Sequence, residues 1–291
     1  TPSPTPTTPL TSSPASTSSA LLANATGLAG FSEGAVYLGI DYKTVNPAGG
    51  RASVRLESKK NWTQGLFIAD IKHMPGSACG VWPAFWTFGE PWPTKGEIDI
   101  IEGVSMQSNN SATLHTSKGC KMEATGSTQG ATLINGDCMG EANAGCSIHS
   151  NTANTFGTGF NSIGGGVYAM EWTSSAISIS FFPRPSIPAD ITAGTPDPSK
   201  WPSPQARFSG GGCNIDQYFN SHKMIFNTAF CGDWAGKIWD SDASCKALAP
   251  TCDKYVGDNP TAFKEAYWLI NSVVVYRDAS AKRDVRKAFK A

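Results

Sequence analysis

Charged side chains are scarce in this sequence, and their signs are evenly balanced. Asp, Glu, Lys and Arg make up 16% of the 291 residues, whereas an average soluble domain has about 25%. The 23 basic residues equal the 23 acidic ones, so the chain lacks the basic excess with which proteins bind nucleic acids. No apolar run approaches a length of about 18 residues, which a bilayer-spanning helix needs. We therefore expect no nucleic-acid partner and no membrane span.

Clustered metal ligands are also lacking. None of the eight cysteines forms a C-x-x-C pair, and the four histidines lie apart from them, so we expect no zinc site. No D-x-D-x-D loop of the calcium-binding kind occurs. The prediction is therefore no metal and no cofactor. The even number of cysteines instead indicates up to four disulfides, whose pairing the spacing does not reveal.

The two ends of the chain differ in composition from its middle. Among residues 1–19, all but Leu10 and Ala15 are Ser, Thr or Pro, which predicts a disordered linker over 1–23. Residues 277–291 carry six basic and two acidic side chains, which predicts a solvated basic tail. A nucleic-acid or membrane-surface tail is the alternative for that end. Between the ends, we expect one domain over 24–276.

Several features favour an extracellular compartment. Sequons begin at Asn24, Asn61 and Asn109, and they add to the disulfide-compatible cysteines. No initiator Met or signal peptide is present, so we expect a mature or truncated chain. The predicted localisation is secreted, with cell-wall association as a further possibility. We expect a monomer.

Short segments with strand patterning recur between turns that are rich in Gly and Pro. Three of them alternate apolar and polar residues, at 35–41, 53–58 and 177–181. Three apolar runs typical of strands cover 66–71, 224–230 and 272–276. The fold class is therefore all-β, as a single antiparallel β-sandwich over about 24–276.

Two kinds of exception interrupt this strand pattern. One helix is predicted at Pro260–Trp268, where Asn259 can cap and Pro260 suits the first helical position. The irregular stretches 119–165 and 183–222 are long enough to require either a function or disulfide links.

Residues 95–103 read KGEIDIIEG and place three carboxylates on one strand. Alternate side chains of a strand share a face, so Glu97 and Asp99 point together. Strict alternation would send Glu102 into the core, where an ionised Glu is costly. A β-bulge near Ile100-Ile101 buries the second isoleucine and returns Glu102 to the face of the other two acids.

Three acids on one face repel one another, which calls for a functional explanation. In glycoside hydrolysis, one carboxylate attacks the anomeric carbon and a second carboxyl protonates the leaving oxygen. In retaining enzymes the two are about 5–5.5 Å apart. Here Asp99 would hydrogen-bond the nucleophile, and its charge would help to keep the acid protonated. The alternatives are a hard cation such as calcium, held by the three carboxylates, and a polar sheet face without chemistry.

Three tryptophans, Trp82, Trp86 and Trp92, precede the acids within 15 residues. Aromatic rings stack on the apolar faces of sugars, and exposed tryptophans are otherwise unfavourable. We expect Trp82 to be the most buried of the three.

These motifs resemble the fungal laminarinase-like branch of glycoside hydrolase family 16. The resemblance begins with HMPGSACGVWPAFWTFG and WPTKGEIDIIEG, and it continues through TLHT, GGGVYAMEW and FNTAFCGDWAG, over roughly residues 27–276. It implies a β-jelly roll with a concave substrate cleft, which cleaves β-1,3- or mixed β-1,3/1,4-glucans with retention.

The resemblance also implies roles for individual residues. Glu97 matches the nucleophile, Glu102 the general acid/base and Asp99 the assisting carboxylate. Five further residues match substrate-binding positions: Arg55, Trp86, Trp92, His115 and Trp234. The implied function is a secreted endo-acting β-glucanase whose partner is a β-glucan polysaccharide. A glucan-binding or wall-structural protein and a transglycosylase on the same scaffold are the alternatives.

The sequence departs from the family pattern at its N-terminal side. Relatives begin with one or two additional strands before the segment that here reads GLAGFSEGAVYLGID. The Ser/Thr/Pro tract occupies that place, so we expect an exposed sheet edge beside the C-terminal strand and the loss of one wall of the cleft.

Overall fold

The computed structural model describes residues 3–4, 26–123, 131–139 and 144–277. Most of the predicted linker and of the basic tail lies outside these residues. The described strands are β1 (Ser3–Pro4), β2 (Ala29–Ser32), β3 (Ala35–Leu38), β4 (Arg55–Glu57), β5 (Gly65–His73), β6 (Val81–Gly89), β7 (Glu97–Glu102), β8 (Ser111–His115), β9 (Thr132–Asn135), β10 (Cys146–His149), β11 (Gly166–Trp172), β12 (Ala176–Pro183), β13 (Ala206–Ser209), β14 (His222–Phe230) and β15 (Trp268–Arg277).

Two antiparallel sheets form the domain. One sheet has the order β13-β12-β11-β5-β15-β3-β2, and β1 pairs with the end of β15. The other has the order β4-β14-β6-β7-β8-β10-β9, which makes β7 the middle strand of seven. The predicted all-β antiparallel sandwich is confirmed.

The core lies between the sheets and is built from the side chains that point inward at alternate positions along each strand. Phe85 of β6 stacks on Phe226 of β14, with ring centroids 4.1 Å apart. Phe226 in turn meets the edge of Trp268, which belongs to β15 in the opposite sheet. All three side chains are fully buried. Each aromatic pair adds about 0.5–1.5 kcal/mol beyond its burial, so the contacts hold the two sheets in a fixed relation.

The six strand segments predicted from the pattern coincide with strands. They correspond to β3, β4, β12, β5, β14 and β15. The predicted exposed edge beside the C-terminal strand is smaller than expected. β15 pairs with β5 on one side, and on the other with β3 at Trp268–Ile270 and with β1 at its end. Among the described residues, only 271–275 have no strand partner on that second side.

The predicted helix at Pro260–Trp268 is wrong. A 3₁₀ turn covers only Pro260–Phe263, and Trp268 begins β15. Burial of the Trp268 side chain in the core and its pairing with Leu38 prevail over the local helix signal. The Asn259 side chain instead donates a hydrogen bond to the Tyr255 carbonyl of the preceding helix.

Helical segments are short and lie in the connections. In the described part of the chain, the α-helices are Gly157–Ser162, Ala189–Thr192, Ile215–Tyr218, Ala243–Lys246 and Cys252–Asp258. Further 3₁₀ turns cover Arg184–Ser186 and Pro198–Lys200, and a π-helical turn covers Gly232–Gly236. None of the helices in the described ranges has the length and apolar character to pass through a membrane.

All eight cysteines are paired, which confirms the prediction of four disulfides. The pairs are Cys79–Cys245, Cys120–Cys213, Cys138–Cys146 and Cys231–Cys252. The prediction that 119–165 and 183–222 are irregular is wrong, because the first contains β9, β10 and a helix and the second contains β13 and short helices. The bond between Cys120 and Cys213 joins these two stretches to each other. Both stretches are therefore held by a disulfide, which is one of the two explanations expected for their length.

Candidate active site

The β-bulge predicted in β7 is present, and it sets the geometry of the acids. Asp99 pairs with Trp86 of β6 and Ile101 with Phe85, so Ile100 has no partner on that strand. The isoleucines Ile98, Ile100 and Ile101 are completely buried. Because the bulge adds one residue, Glu102 returns to the face that carries Glu97 and Asp99.

The three carboxyls lie in the outer face of the seven-stranded sheet, and Asp99, in the middle, is the most deeply buried of them. The Glu97 side chain is 17% exposed, and that of Asp99 is 3% exposed. Glu102 is 9% exposed as a residue. Polar residues of β8 lie directly opposite the acids: His115 opposite Glu97, Thr113 opposite Asp99 and Ser111 opposite Glu102. The site is therefore a polar row in a sheet whose other face is apolar.

The turn before β7 fixes where the strand begins and so places Glu97, its first residue. Gly96 has a φ of +77°, and a Cβ placed there would come within 2.6 Å of the Tyr218 carbonyl, so this position requires glycine. Next to it, the Lys95 carbonyl accepts a hydrogen bond from His222 Nε2 at 2.6 Å. Burial lowers the pKa of His222 to about 4, so this histidine is neutral and structural.

Two predicted residues contact the acids directly. His115 Nε2 lies 3.4 Å from Asp99 Oδ2 and 3.9 Å from Glu97 Oε1. Trp92 is 44% exposed, and a hydrogen bond from its side chain to Glu97 lowers the pKa of that carboxyl. The exposed indole beside a carboxylate is the arrangement expected of a sugar-stacking residue.

Trp82, which was expected to be the most buried of the three tryptophans, contacts one of the acids and belongs to the site. Trp82 Nε1 donates to Glu102 Oε1 at 2.9 Å, and its ring meets Trp234 at 5.8 Å, edge to face. Trp82 and Trp86 are both half-buried, whereas Trp92 is exposed. The overlooked signal is the alternation along β6, which puts Trp82 on the same face as Trp86.

The remaining predicted residues cluster on the β4–β14 side of the face. The Arg55 guanidinium lies over the Trp86 ring, 4.8 Å from its centroid, and Arg55 Nε is 2.7 Å from Glu57 Oε1. Trp86 Nε1 donates to Asn227 Oδ1 at 2.7 Å. Asn227 was not predicted, because only strand pairing places it beside Trp86. Together these groups form an aromatic and polar wall adjoining the acids.

Burial raises the pKa of all three carboxyls, and repulsion by Asp99 adds to the rise for Glu97 and Glu102. Desolvation is the larger cause for Glu97, whose pKa rises to about 9, and the charge of Asp99 adds to it. Burial likewise raises the pKa of Glu102 to about 8, again with a contribution from Asp99. Burial raises the pKa of Asp99 well above its ordinary value. The three groups therefore carry fewer than three negative charges near neutral pH.

The ligand atoms of this cluster do not suit a calcium ion. Single ligand atoms of Glu97, Asp99 and His115 lie within 4.8 Å of one another. Calcium takes six to eight oxygen ligands, whereas this set offers two carboxylate oxygens and one nitrogen. Glu102, the third acid of the calcium alternative, does not belong to this set of three residues; it accepts a hydrogen bond from Trp82 instead.

A two-sheet antiparallel sandwich with clustered carboxyls and tryptophans on one face defines a carbohydrate-active catalytic domain. Residues 13–276 match the family described as "XgeA-like, catalytic GH16 domain". The chain belongs to this branch of glycoside hydrolase family 16, as its motifs indicated.

Named relatives and solved structures agree with this assignment. An endo-1,3(4)-beta-glucanase of Arthroderma benhamiae is 48% identical over 265 residues, covering 89% of this chain and 58% of the relative. Endo-1,3(4)-beta-glucanase xgeA of Emericella nidulans is 46% identical over 253 residues, covering 84% of this chain and 40% of the relative. The chain thus spans about half the length of these curated relatives.

Two solved structures match at a similar level. An elongating GH family 16 beta-1,3-glucosyltransferase is 43% identical, with a TM-score of 0.81 and 88% of each chain covered. Laminarinase 16A from Phanerochaete chrysosporium, with 6-O-glucosyl-laminaritriose in donor and acceptor sites, is 40% identical. Its TM-score is 0.80, and 88% of each chain is covered.

Proposed function

We propose that this domain is a secreted, endo-acting β-glucanase that hydrolyses 1,3- or mixed 1,3/1,4-linked glucans by a retaining double displacement. The observation that carries the proposal is the placement of Glu97, Asp99 and Glu102 on one face of β7 with raised pKa values. The names of the relatives support the glucan substrate. The four disulfides support secretion.

Glu102 would act as the general acid. Its raised pKa keeps a proton on the carboxyl near neutral pH, ready for the oxygen of the leaving sugar. Glu97 attacks the anomeric carbon as the glycosidic bond breaks, which gives a glycosyl ester on Glu97. Glu102, now ionised, takes a proton from water, and that water cleaves the ester with net retention.

Asp99 would keep Glu97 nucleophilic by holding the proton that the two share. Asp99 is the more deeply buried of the pair, and burial opposes the charged form most strongly there. A protonated Asp99 then donates a hydrogen bond to Glu97 and leaves the charge on the attacking group. When the shared proton is instead on Glu97, the negative charge of Asp99 adds to the raised pKa of Glu102, in line with the expectation that this charge helps to keep the acid protonated.

The side chains around the acids would bind the glucan. Trp86, Trp92 and Trp234 supply aromatic surface for sugar rings, and Arg55 and His115 supply donors for hydroxyl groups. These groups belong to one chain, which is consistent with action as a monomer. The scarcity of charge on the whole chain suits an uncharged polysaccharide.

Digestion of laminarin, lichenan and cellulose side by side tests the proposal. We expect oligosaccharide release from laminarin and lichenan and none from cellulose, measured as reducing ends and by product chromatography. Binding of glucan without any product over a long digestion would contradict hydrolysis and favour the glucan-binding alternative.

A transglycosylase is the second candidate function. It is favoured by the 43% identity to a beta-1,3-glucosyltransferase. The two activities share the glycosyl ester and differ in whether water or a sugar cleaves it. Products longer than the substrate, seen in the same chromatography, would identify transglycosylation.

Trp82→Phe is expected to move the alkaline limb of the pH profile of kcat/KM to higher pH. The indole N–H stabilises ionised Glu102 and so lowers the pKa of that carboxyl. Without the N–H, Glu102 keeps its proton to a higher pH. Loss of one hydrogen bond worth about 1 kcal/mol corresponds to a shift of roughly 0.7 pH units.

Trp86→Phe is the matched control for this shift, because its indole donates to Asn227 and to no carboxyl. It is expected to leave the alkaline limb in place, whatever its effect on binding. An unmoved limb in Trp82→Phe, or an equal shift in both variants, would contradict the role given to Trp82.

A further inference from the structure

We propose that Asn110 is a positioning residue that holds the β-bulge of β7 and thereby sets the Glu102 carboxyl on the face of Glu97. The inference rests on the proposed function, since it assigns Asn110 a role in that reaction. Within the residues that the structure describes, the side chain of Asn110 forms hydrogen bonds with the Glu102 N–H, the Ile100 carbonyl and Gln205, and not with the other two acids or the tryptophans of the site.

The bulge creates the need for such a residue. Where two residues of one strand oppose one of the next, backbone groups lose their ladder partners. On the β8 side, the pairing jumps from Asp99–Thr113 to Glu102–Ser111. A buried backbone group without a partner costs about 1–3 kcal/mol, so the bulge is stable only if something else satisfies these groups.

One side-chain amide satisfies a backbone group on each side of the bulge. Asn110 Oδ1 accepts a hydrogen bond from the Glu102 N–H at 3.0 Å. Asn110 Nδ2 donates to the Ile100 carbonyl at 2.9 Å. The residue is 1% exposed, so water does not compete for these bonds. The donor and acceptor of an amide are both used, and an apolar side chain would supply neither.

Asn110 is in turn fixed by residues from outside the seven-stranded sheet. Its N–H donates to Thr155 Oγ1 at 3.0 Å, and its Nδ2 lies 3.3 Å from Gln205 Oε1. The Thr155 carbonyl accepts from the Tyr168 hydroxyl of β11, in the opposite sheet, at 2.6 Å. These hydrogen bonds connect the Glu102 backbone, through Asn110 and Thr155, to both sheets of the sandwich and so fix its position.

Loss of the amide is expected to displace the acid rather than to weaken glucan binding. A misplacement of about 1 Å costs on the order of 10²-fold in rate, and general acid catalysis supplies about 10²–10⁴-fold. The rate should therefore fall only for substrates whose leaving group needs a proton. The size of the loss should thus depend on the leaving group, which a merely structural defect would not cause.

The test compares kcat/KM for two aryl laminaritriosides in wild type and Asn110→Ala. With unsubstituted phenol, a poor leaving group that needs a proton, we expect a loss of about 10²-fold. With 2,4-dinitrophenol, which leaves without protonation, we expect a loss below about 5-fold. Asn110→Asp, which keeps an acceptor for the Glu102 N–H but loses the donor to Ile100, is expected to show the same dependence on the leaving group.

Asn161→Ala is a matched control. Asn161 makes the same two-sided contact with the backbone of Met74, accepting from its N–H at 3.0 Å and donating to its carbonyl at 2.8 Å. Its loss is expected to change kcat/KM little, and by the same factor for both substrates.

The outcomes separate the two proposals. A wild-type protein that cleaves neither laminarin nor the aryl glycosides contradicts the proposed function. The positioning role alone is overturned if the wild type is active and the Asn110 variants lose kcat/KM by the same factor for both aryl glycosides, or lose it for neither. Failure of both Asn110 variants to fold, while Asn161→Ala folds, also overturns it and makes Asn110 a structural residue.

Discussion

Glu97→Gln and Glu102→Gln are each expected to abolish the release of reducing ends from laminarin or lichenan while glucan binding survives. Glutamine keeps the size of each side chain but removes the nucleophile in one variant and the transferable proton in the other. General acid–base catalysis alone contributes about 10²–10⁴-fold, so we expect turnover to fall by at least ~10³-fold in both variants. The aromatic and Arg55 contacts to the glucan remain in place.

Reducing-end assays and calorimetric titration with laminari-oligosaccharides measure the two halves of this prediction. Glu171→Gln is the control. Glu171 is a half-buried carboxyl on β11, in the opposite sheet, and its substitution should leave turnover unchanged. Undiminished turnover in Glu97→Gln or in Glu102→Gln would rule out the assigned role of that residue.

Glu102→Gln is also expected to make the domain more stable than the wild type in alkaline solution. The folded-state pKa of Glu102 is about 8, above its ordinary value of 4.5. The folded protein therefore binds more protons than the unfolded chain between these values. The stability from Glu102 is complete below about pH 4.5 and is lost as the pH rises through about 8.

A glutamine side chain does not ionise, so the variant escapes this loss. We expect a gain of about 2 kcal/mol in the free energy of unfolding at pH 9, with Tm higher by about 4–8 °C, and no gain at pH 4. Such a gain would be the counterpart of lost activity, because active sites are commonly held at the expense of stability.

Thermal unfolding at pH 4, 7 and 9 measures this effect. Glu265→Gln removes a carboxyl that is 73% exposed and should give a Tm close to that of the wild type at each pH. A Glu102→Gln variant that is no more stable than the wild type at pH 9 would show that Glu102 does not resist ionisation in the folded state.

The geometry of the acids was predictable because it follows from short-range constraints. Period-two alternation fixes the common face of Glu97 and Asp99, and the paired isoleucines leave a bulge as the way to keep Glu102 out of the core. The structure has that bulge and buries both isoleucines. Side-chain chemistry within one strand was sufficient for this conclusion.

Contacts between distant segments were not predictable in the same way. The hydrogen bond from Trp82 to Glu102 depends on the pairing of two strands, and the amide of Asn110 depends on the connection that follows β7. The pairing of the cysteines depends on the whole topology. The helix prediction at Pro260–Trp268 failed for a related reason, because packing of Trp268 in the core outweighs local propensity.

The central claim is that Glu97 forms a covalent glycosyl ester. An activated 2-deoxy-2-fluoro laminari-oligosaccharide tests it, since the fluorine slows both displacement steps and lets the ester accumulate. Mass spectrometry of the intact protein, followed by peptide mapping, is predicted to find one glycosyl group on Glu97. No adduct on an enzyme that turns over laminarin, or an adduct on another residue, would contradict the account.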